Sequence, residues 1–214
     1  MWKPRTPATL LDPRLTLAGR SAPVGKAGTH LVLGSSYGGP LPPGLERAVF
    51  AMGCFWGAER VFWQLPGVVT TAVGYVAGET PNPTYEEVCS GRTNHAEAVL
   101  VDFDPTQVTY EVLLATFLEA HDPSQLNGQG NDIGTQYRSL VVATDDEQQR
   151  AAEVAITAYG DAMEAAGLAR PTTTVERDAP FYLAEAYHQQ YLAANPGGYC
   201  GLQPTGVACP TLER

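Results

Sequence analysis

Basic residues are scarce in this 214-residue chain: 13 Lys and Arg stand against 23 Asp and Glu, a formal net charge of -10. Phosphate recognition is dominated by Lys and Arg, so this balance argues against a nucleic-acid partner. Long apolar runs are missing too. No stretch of about 18 apolar residues is available to span a bilayer, and the opening MWKPRTPATLLDPRLTLAGR has no apolar secretory core. The expectation is a soluble, cytoplasmic protein with no membrane partner. Cysteine is sparse: Cys54, Cys89, Cys200 and Cys209 are too few for a small disulfide scaffold. No C-x-x-C pair is present to begin a structural zinc site, so no metal is expected. Scattered cysteines in a reducing compartment are more often catalytic or metal-bound.

What is present is a composition, 44% hydrophobic, able to bury one sizeable core. Residues 1–45 mix Pro, Gly and Ser with isolated apolar residues, as in SYGGPLPPG, and read as a loop-rich arm that wraps the domain or stays mobile. Residues 46–214 read as one domain. ERAVFAMG is a short apolar run ending at Gly53, and in CFWGAERVFWQL the residues Phe55, Ala58, Val61, Phe62 and Leu65 recur at helical spacing. The β-branched VVTTAVGYVAG and the alternating HAEAVLVDFD predict two strands. A helix over TYEVLLATFLEAHD, a long structureless loop at DPSQLNGQGNDIGTQ and a strand at YRSLVVAT follow. Thr144 and Glu147 form a T-x-x-E capping pattern that opens a helix ending near Gly167. TTTVERD reads as a strand, PFYLAEAYHQQYL as a last helix begun by Pro180, and about 195–214 as Gly/Pro-rich coil. The order β-α-β-β-α-β, with additions at both ends, predicts an α+β fold: a ferredoxin-like split βαβ two-layer sandwich with an extended N-terminal arm and a coil-rich C-terminal tail.

Cys54 follows Gly53 at a strand-to-helix junction. Its sulfur is expected beside unpaired backbone N–H groups and the positive end of the helix dipole, which favour a thiolate. The plainer alternative is an ordinary buried cysteine. Period two places Glu97 on one face with Val99, Val101 and Phe103, so its carboxyl should be desolvated and its pKa raised. The alternative there is an edge-strand Glu facing water. By themselves Phe55 reads as a core residue, Tyr85 and Tyr137 as half-buried packing residues and Asp132 as an Asx-turn residue, while Trp56 fits the apolar stripe less well. Glycine and proline around Cys200 and Cys209 permit large backbone excursions, which suits closure onto a distant sulfur. Cys89, in a strand-like VCS, reads as structural, and the four histidines form no cluster.

The string Gly53-Cys54-Phe55-Trp56-Gly57 resembles the active-site signature of A-class peptide methionine sulfoxide reductases. The resemblance runs on through Gly74-Tyr75, TYEEVCSG at 84–91, NHAEAVLVDFDP at 94–105 and HDPSQLNGQGNDIGTQYRS at 121–139, covering roughly residues 46–200 in order. It implies that Cys54 attacks the sulfoxide sulfur of methionine S-sulfoxide, free or in oxidised proteins under repair. Phe55 and Trp56 would wall in the S-methyl group, Glu97 would act as general acid, Tyr85 and Tyr137 would hydrogen-bond the sulfoxide oxygen, and Asp132 would line the substrate site. It further implies that Cys54 becomes a sulfenic acid, that Cys200 condenses with it, and that Cys209 exchanges to leave a Cys200–Cys209 disulfide for thioredoxin to reduce. No bound cofactor and a monomeric protein are expected. Two other functions stay open on the residues alone: acyl transfer by Cys54 with a histidine base, and a non-catalytic redox-sensing or peptide-binding module.

Overall fold

The computed structural model describes residues 9–210. The first eight residues of the expected arm and the last four of the expected tail lie outside them. The described arm contributes a 3-10 turn at Pro13–Leu15 and a two-stranded hairpin, β1 (Gly28–Thr29) and β2 (Ser36–Tyr37), and between them runs as coil over the domain. It is strapped down by polar contacts: Asn94 exchanges two hydrogen bonds with the Leu11 backbone, at 2.8 and 2.9 Å, and Arg20 pairs with Glu87 at 2.6 Å. Of the two expectations for this segment, wrapping is the one observed.

The domain begins with β3 (Glu46–Met52), α1 (Phe55–Trp63) and β4 (Val68–Val76), followed by the short α2 (Tyr85–Cys89), β5 (Ala96–Phe103) and α3 (Tyr110–Ala120). A small hairpin of β6 (Gly128–Gln129) and β7 (Asp132–Ile133) precedes β8 (Ser139–Ala143), α4 (Asp146–Ala165), β9 (Thr174–Arg177), β10 (Tyr182–Leu183) and α5 (Tyr191–Ala194). The main sheet has the order β10-β4-β5-β3-β8-β9, antiparallel except for the β8–β9 pair. β5 therefore lies between β3 and β4, the two strands that α1 connects. Alternation along the strands divides the core. Phe50, Val99, Val101 and Phe103 meet Phe62, Leu113, Phe117 and Tyr159 of the helices, with Phe50 stacked on Phe62 at 5.0 Å and on Phe117 at 5.2 Å. Val49, Ala51, Ala98, Leu100 and Leu140 form the opposite layer, with Phe181 packed against it.

Several local expectations are corrected. Asp145, not Thr144, caps α4, accepting from the Gln148 N–H at 2.8 Å. The complete capping box is at Thr84 and Glu87, which turns the strand-like VCS into α2. The expected structureless loop at 122–136 carries β6, β7 and a 3-10 turn at Thr135–Tyr137, which takes Tyr137 out of the strand expected to begin there. The expected helix at 180–192 is instead β10, hydrogen-bonded to the end of β4, then a 3-10 turn at Ala186–His188, a left-handed Gln190 with φ 49°, and α5.

Candidate active site

Met52 ends β3, and Gly53 turns the chain with φ +98°, a conformation that resists a side chain. A Cβ there would also lie 2.7 Å from Gln129 Cβ. The turn delivers Cys54 to the N-cap of α1, buried beneath the surface at 6% exposure.

Glu97 approaches from β5. That strand is paired on both sides, so the edge-strand alternative fails, and the side chain is 1% exposed. Its Oε2 accepts the Phe55 backbone N–H at 3.0 Å, one of the unpaired donors at the start of α1. Burial and the neighbouring Asp132 charge push the carboxyl up to about 8 against the downward pull of that bond. The group is mostly protonated at neutral pH, although it sits at the positive end of a helix.

The same burial overturns the expected resting thiolate. The Trp56 and Gly57 N–H groups do pull the Cys54 pKa down, but desolvation foremost, then Glu97 and Asp132, raise it above the usual thiol range. Dipole and N–H effects are worth about 1 kcal/mol, less than loss of water around a buried anion. Cys54 rests as a thiol.

Aromatic rings frame the pair. Phe55 is fully buried, with its ring 5.9 Å from Tyr75 and 6.4 Å from Tyr85. Trp56 is half-buried and stacks on Tyr191 at 4.0 Å. Tyr85 opens α2 and Tyr137 closes the 3-10 turn before β8. Burial and then the Glu97 charge raise both phenols well above the ordinary tyrosine range, so both hydroxyls keep their protons. Asp132, in β7, has a buried Oδ2 with no hydrogen-bond partner, and its pKa is raised by desolvation despite the Tyr199 hydroxyl. The site thus gathers a thiol, a protonated carboxyl, two protonated phenols and an apolar wall.

The tail lies across this cluster. Gly201 backs directly onto Asp132 Oδ2, and a Cβ at Gly57 would lie 2.9 Å from Cys200 Sγ. Cys209 is not brought to the site: it is 2% exposed in the core beside α3 and α4, with its N–H bonded to Glu119 Oε1 at 2.6 Å. Cys89 lies behind Tyr85, within hydrogen-bond reach of its hydroxyl. The four histidines are engaged elsewhere, His30 with Thr71, His95 with the Thr80 carbonyl, His121 with Phe117 and Ser139, and His188 with Trp56. This arrangement gives Cys54 no histidine base.

Sequence reasoning missed Glu185, His188, Tyr191 and Tyr199. All four come from a stretch read as helix and coil. Its density of aromatic and polar residues, in PFYLAEAYHQQY and GGYC, was the available signal.

A family model for peptide methionine sulfoxide reductase matches residues 46–209. The chain belongs to that family. Peptide methionine sulfoxide reductase MsrA 1 of Caulobacter vibrioides is 61% identical over 91% of this chain and 89% of its own length. Peptide methionine sulfoxide reductase MsrA of Methylococcus capsulatus is 54% identical over 100% and 96%. Among solved structures, methionine sulfoxide reductase A of Corynebacterium diphtheriae superposes with a TM-score of 0.84 at 47% identity, over 94% of this chain and 98% of that one. The α+β architecture is therefore shared with a solved methionine sulfoxide reductase. No helix among the described residues is long and apolar enough to cross a membrane.

Proposed function

We propose that this peptide methionine sulfoxide reductase family member reduces methionine S-sulfoxide, free or in proteins, with Cys54 as nucleophile and Glu97 as acid, and so repairs oxidised chains. The observation that carries the reading is Glu97: a buried carboxyl, pushed up to about 8, held by the N–H of the residue next to the nucleophile. A sulfoxide has a strongly accepting oxygen and a small apolar arm. Glu97, Tyr85 and Tyr137 supply donors to the oxygen, and Phe55 and Trp56 a wall for the methyl, with Asp132 at the rim. Attack of the Cys54 sulfur forms a bond to the sulfoxide sulfur while Glu97 protonates the oxygen and the emptied carboxylate takes up the thiol proton; the hydroxyl then passes to the Cys54 sulfur as the S–S bond breaks and methionine leaves. In balance, thiol plus sulfoxide gives sulfenic acid plus thioether.

Cys200, packed against the first turn of α1, then condenses with the sulfenic acid and releases water. Cys209 exchanges into that disulfide, freeing Cys54 and leaving Cys200 paired with Cys209 for thioredoxin. No bound cofactor enters these steps, because thiols supply the electrons. A reducing, cytoplasmic setting and a monomer suit the scheme. The antiparallel order β4-β5-β3-β8 supports a ferredoxin-like reading of the scaffold, with 46–214 as the catalytic unit and about 195–214 as its redox tail.

The test is an assay of the purified protein on an acetylated, amidated methionine S-sulfoxide with thioredoxin, its reductase and NADPH. Methionine formation in wild type and its loss in Cys54→Ser are expected. No product from folded, reduced wild type would overturn the reading.

A further inference from the structure

His188 stands behind the aromatic wall and does no chemistry in the scheme above. It is 1% exposed, with its ring centroid 5.0 Å from Phe55 and 4.4 Å from Tyr85. The Trp56 indole donates its Nε1–H to His188 Nδ1 at 3.1 Å, while Tyr191 covers one face of the indole. Because Nδ1 accepts, a neutral ring carries its proton on Nε2. That buried Nε2 has no hydrogen-bond partner, and the Glu185 Oε2 lies 4.0 Å away. Burial lowers the ring pKa to about 4, so the neutral form is the resident one.

An unpartnered buried N–H is costly, and an apolar side chain would pack here without that penalty. The cost is coherent only if the other nitrogen has a task. Glu185 gives the arrangement its second half: its Oε1 accepts the Tyr85 backbone N–H at 2.9 Å, and its Oε2 accepts the Tyr75 hydroxyl at 2.9 Å. The same carboxylate faces the His188 Nε2–H and favours the tautomer whose Nδ1 is free to accept. The segment is itself pinned, since Gln189 exchanges hydrogen bonds of 2.9 Å with the Val73 backbone and Gln190 bonds Glu59.

We propose that His188 is the positioning residue for the Trp56 indole, and that with Glu185 it sets how large a group on sulfur the pocket admits. The inference rests on the reading that Trp56 walls in the methyl group. A ring held at one nitrogen, with Tyr191 stacked on one face, cannot swing aside for a bulkier substituent.

The test compares wild type, His188→Leu, His188→Gln and His188→Asn on methionine sulfoxide and its S-ethyl analogue, with Trp56→Ala beside them. The Asn Oδ1 can take the place of Nδ1, whereas the Gln amide reaches toward Nε2. Loss of the indole bond in the Leu and Gln variants should raise KM for methionine sulfoxide about tenfold and leave kcat within about twofold. In both variants the methyl-over-ethyl preference falls and the Trp56 indole N–H proton resonance moves upfield. The Asn variant restores all three. Leu or Gln variants that keep wild-type KM and preference overturn the proposal, as does an Asn variant no better than Gln. Should the Leu variant fail to fold, the Gln and Asn pair decides alone. If Trp56→Ala itself leaves the preference unchanged, the wall reading is what has failed, and the role of His188 falls with it.

Discussion

The Cys200 sulfur occupies space that a side chain at Gly57 would need: a Cβ there would lie 2.9 Å from Sγ and 3.1 Å from Leu202 Cγ. The last glycine of the GCFWG string thus leaves room for the second thiol. Gly57→Ala should displace Cys200 and slow disulfide formation about tenfold or more, the scale of overpacking a tight contact. Methionine release in a single turnover should be retained. Trapping the sulfenic acid with dimedone and following free thiols by alkylation checks this; wild-type disulfide kinetics in the variant would refute it.

The acid role proposed for Glu97 carries a pH prediction of definite sign. As an acid it is active when protonated, and its pKa is pushed up to about 8, so the rate of the first step should fall as pH rises through that value. Glu97→Gln should slow that step about 100-fold or more and erase the alkaline fall. Single-turnover methionine release from pH 6 to 9.5 reads both effects. An alkaline limb that survives in the Gln variant belongs to another group.

In the proposed exchange Cys209 leaves its buried position beside α3 and α4 to reach Cys200. Its N–H bond to Glu119, with Tyr159 bonding Thr205 at 2.8 Å and the Val207 carbonyl at 3.2 Å, holds the tail on α3 and α4. Glu119→Ala should speed conversion of the Cys54–Cys200 disulfide to Cys200–Cys209, while Cys209→Ser should keep single-turnover activity and lose thioredoxin-coupled turnover. Acid quench, alkylation and mass mapping of the disulfides follow the exchange. Full coupled turnover in Cys209→Ser would remove this cysteine from the scheme.

Glu59 links stability to pH. It is buried in α1 and accepts from Thr71 and from both nitrogens of Gln190, yet desolvation raises its pKa from 4.5 to about 7. A carboxyl whose folded pKa is raised favours the folded state below its unfolded pKa, and that contribution is lost as pH rises through the folded value. Wild type should therefore lose about 3 kcal/mol relative to Glu59→Gln between pH 4.5 and pH 8. Urea denaturation of both proteins across this range gives the difference. A constant gap would mean that Glu59 folds already charged.

The parts legible in the sequence were those fixed by local chemistry. Period two on β5 located Glu97 on the helix side of the sheet, and Gly53 before an apolar helical repeat located Cys54 at an N-cap. The misreadings share one cause: contacts distant in sequence overrode local pattern. PFYLAEAYHQQYL has helical composition, but Tyr182 pairs with Tyr75 on β4, and Glu59 holds Gln190 in a left-handed bend. The resting state of Cys54 was misread because a helix terminus is visible in one sequence window, whereas burial by β5 and the 128–133 hairpin is not. The T-x-x-E pattern is present at both 84 and 144, and of these two only 84 is a box; at 144 the adjacent Asp145 takes the cap.

His30, Thr71, Glu59 and Gln190 form one buried chain of hydrogen bonds that joins the arm, β4, α1 and the segment before α5. This sets an order on biosynthesis. Chains emerge from the ribosome N-terminus first, so Cys54 and Glu97 are made well before the residues that hold Trp56 in place. A polypeptide halted before Glu185 carries Cys54 but none of the 185–191 contacts on the pocket wall. On the role proposed for His188, the selectivity of the pocket is acquired only once residues 185–191 have been made and folded onto α1 and β4.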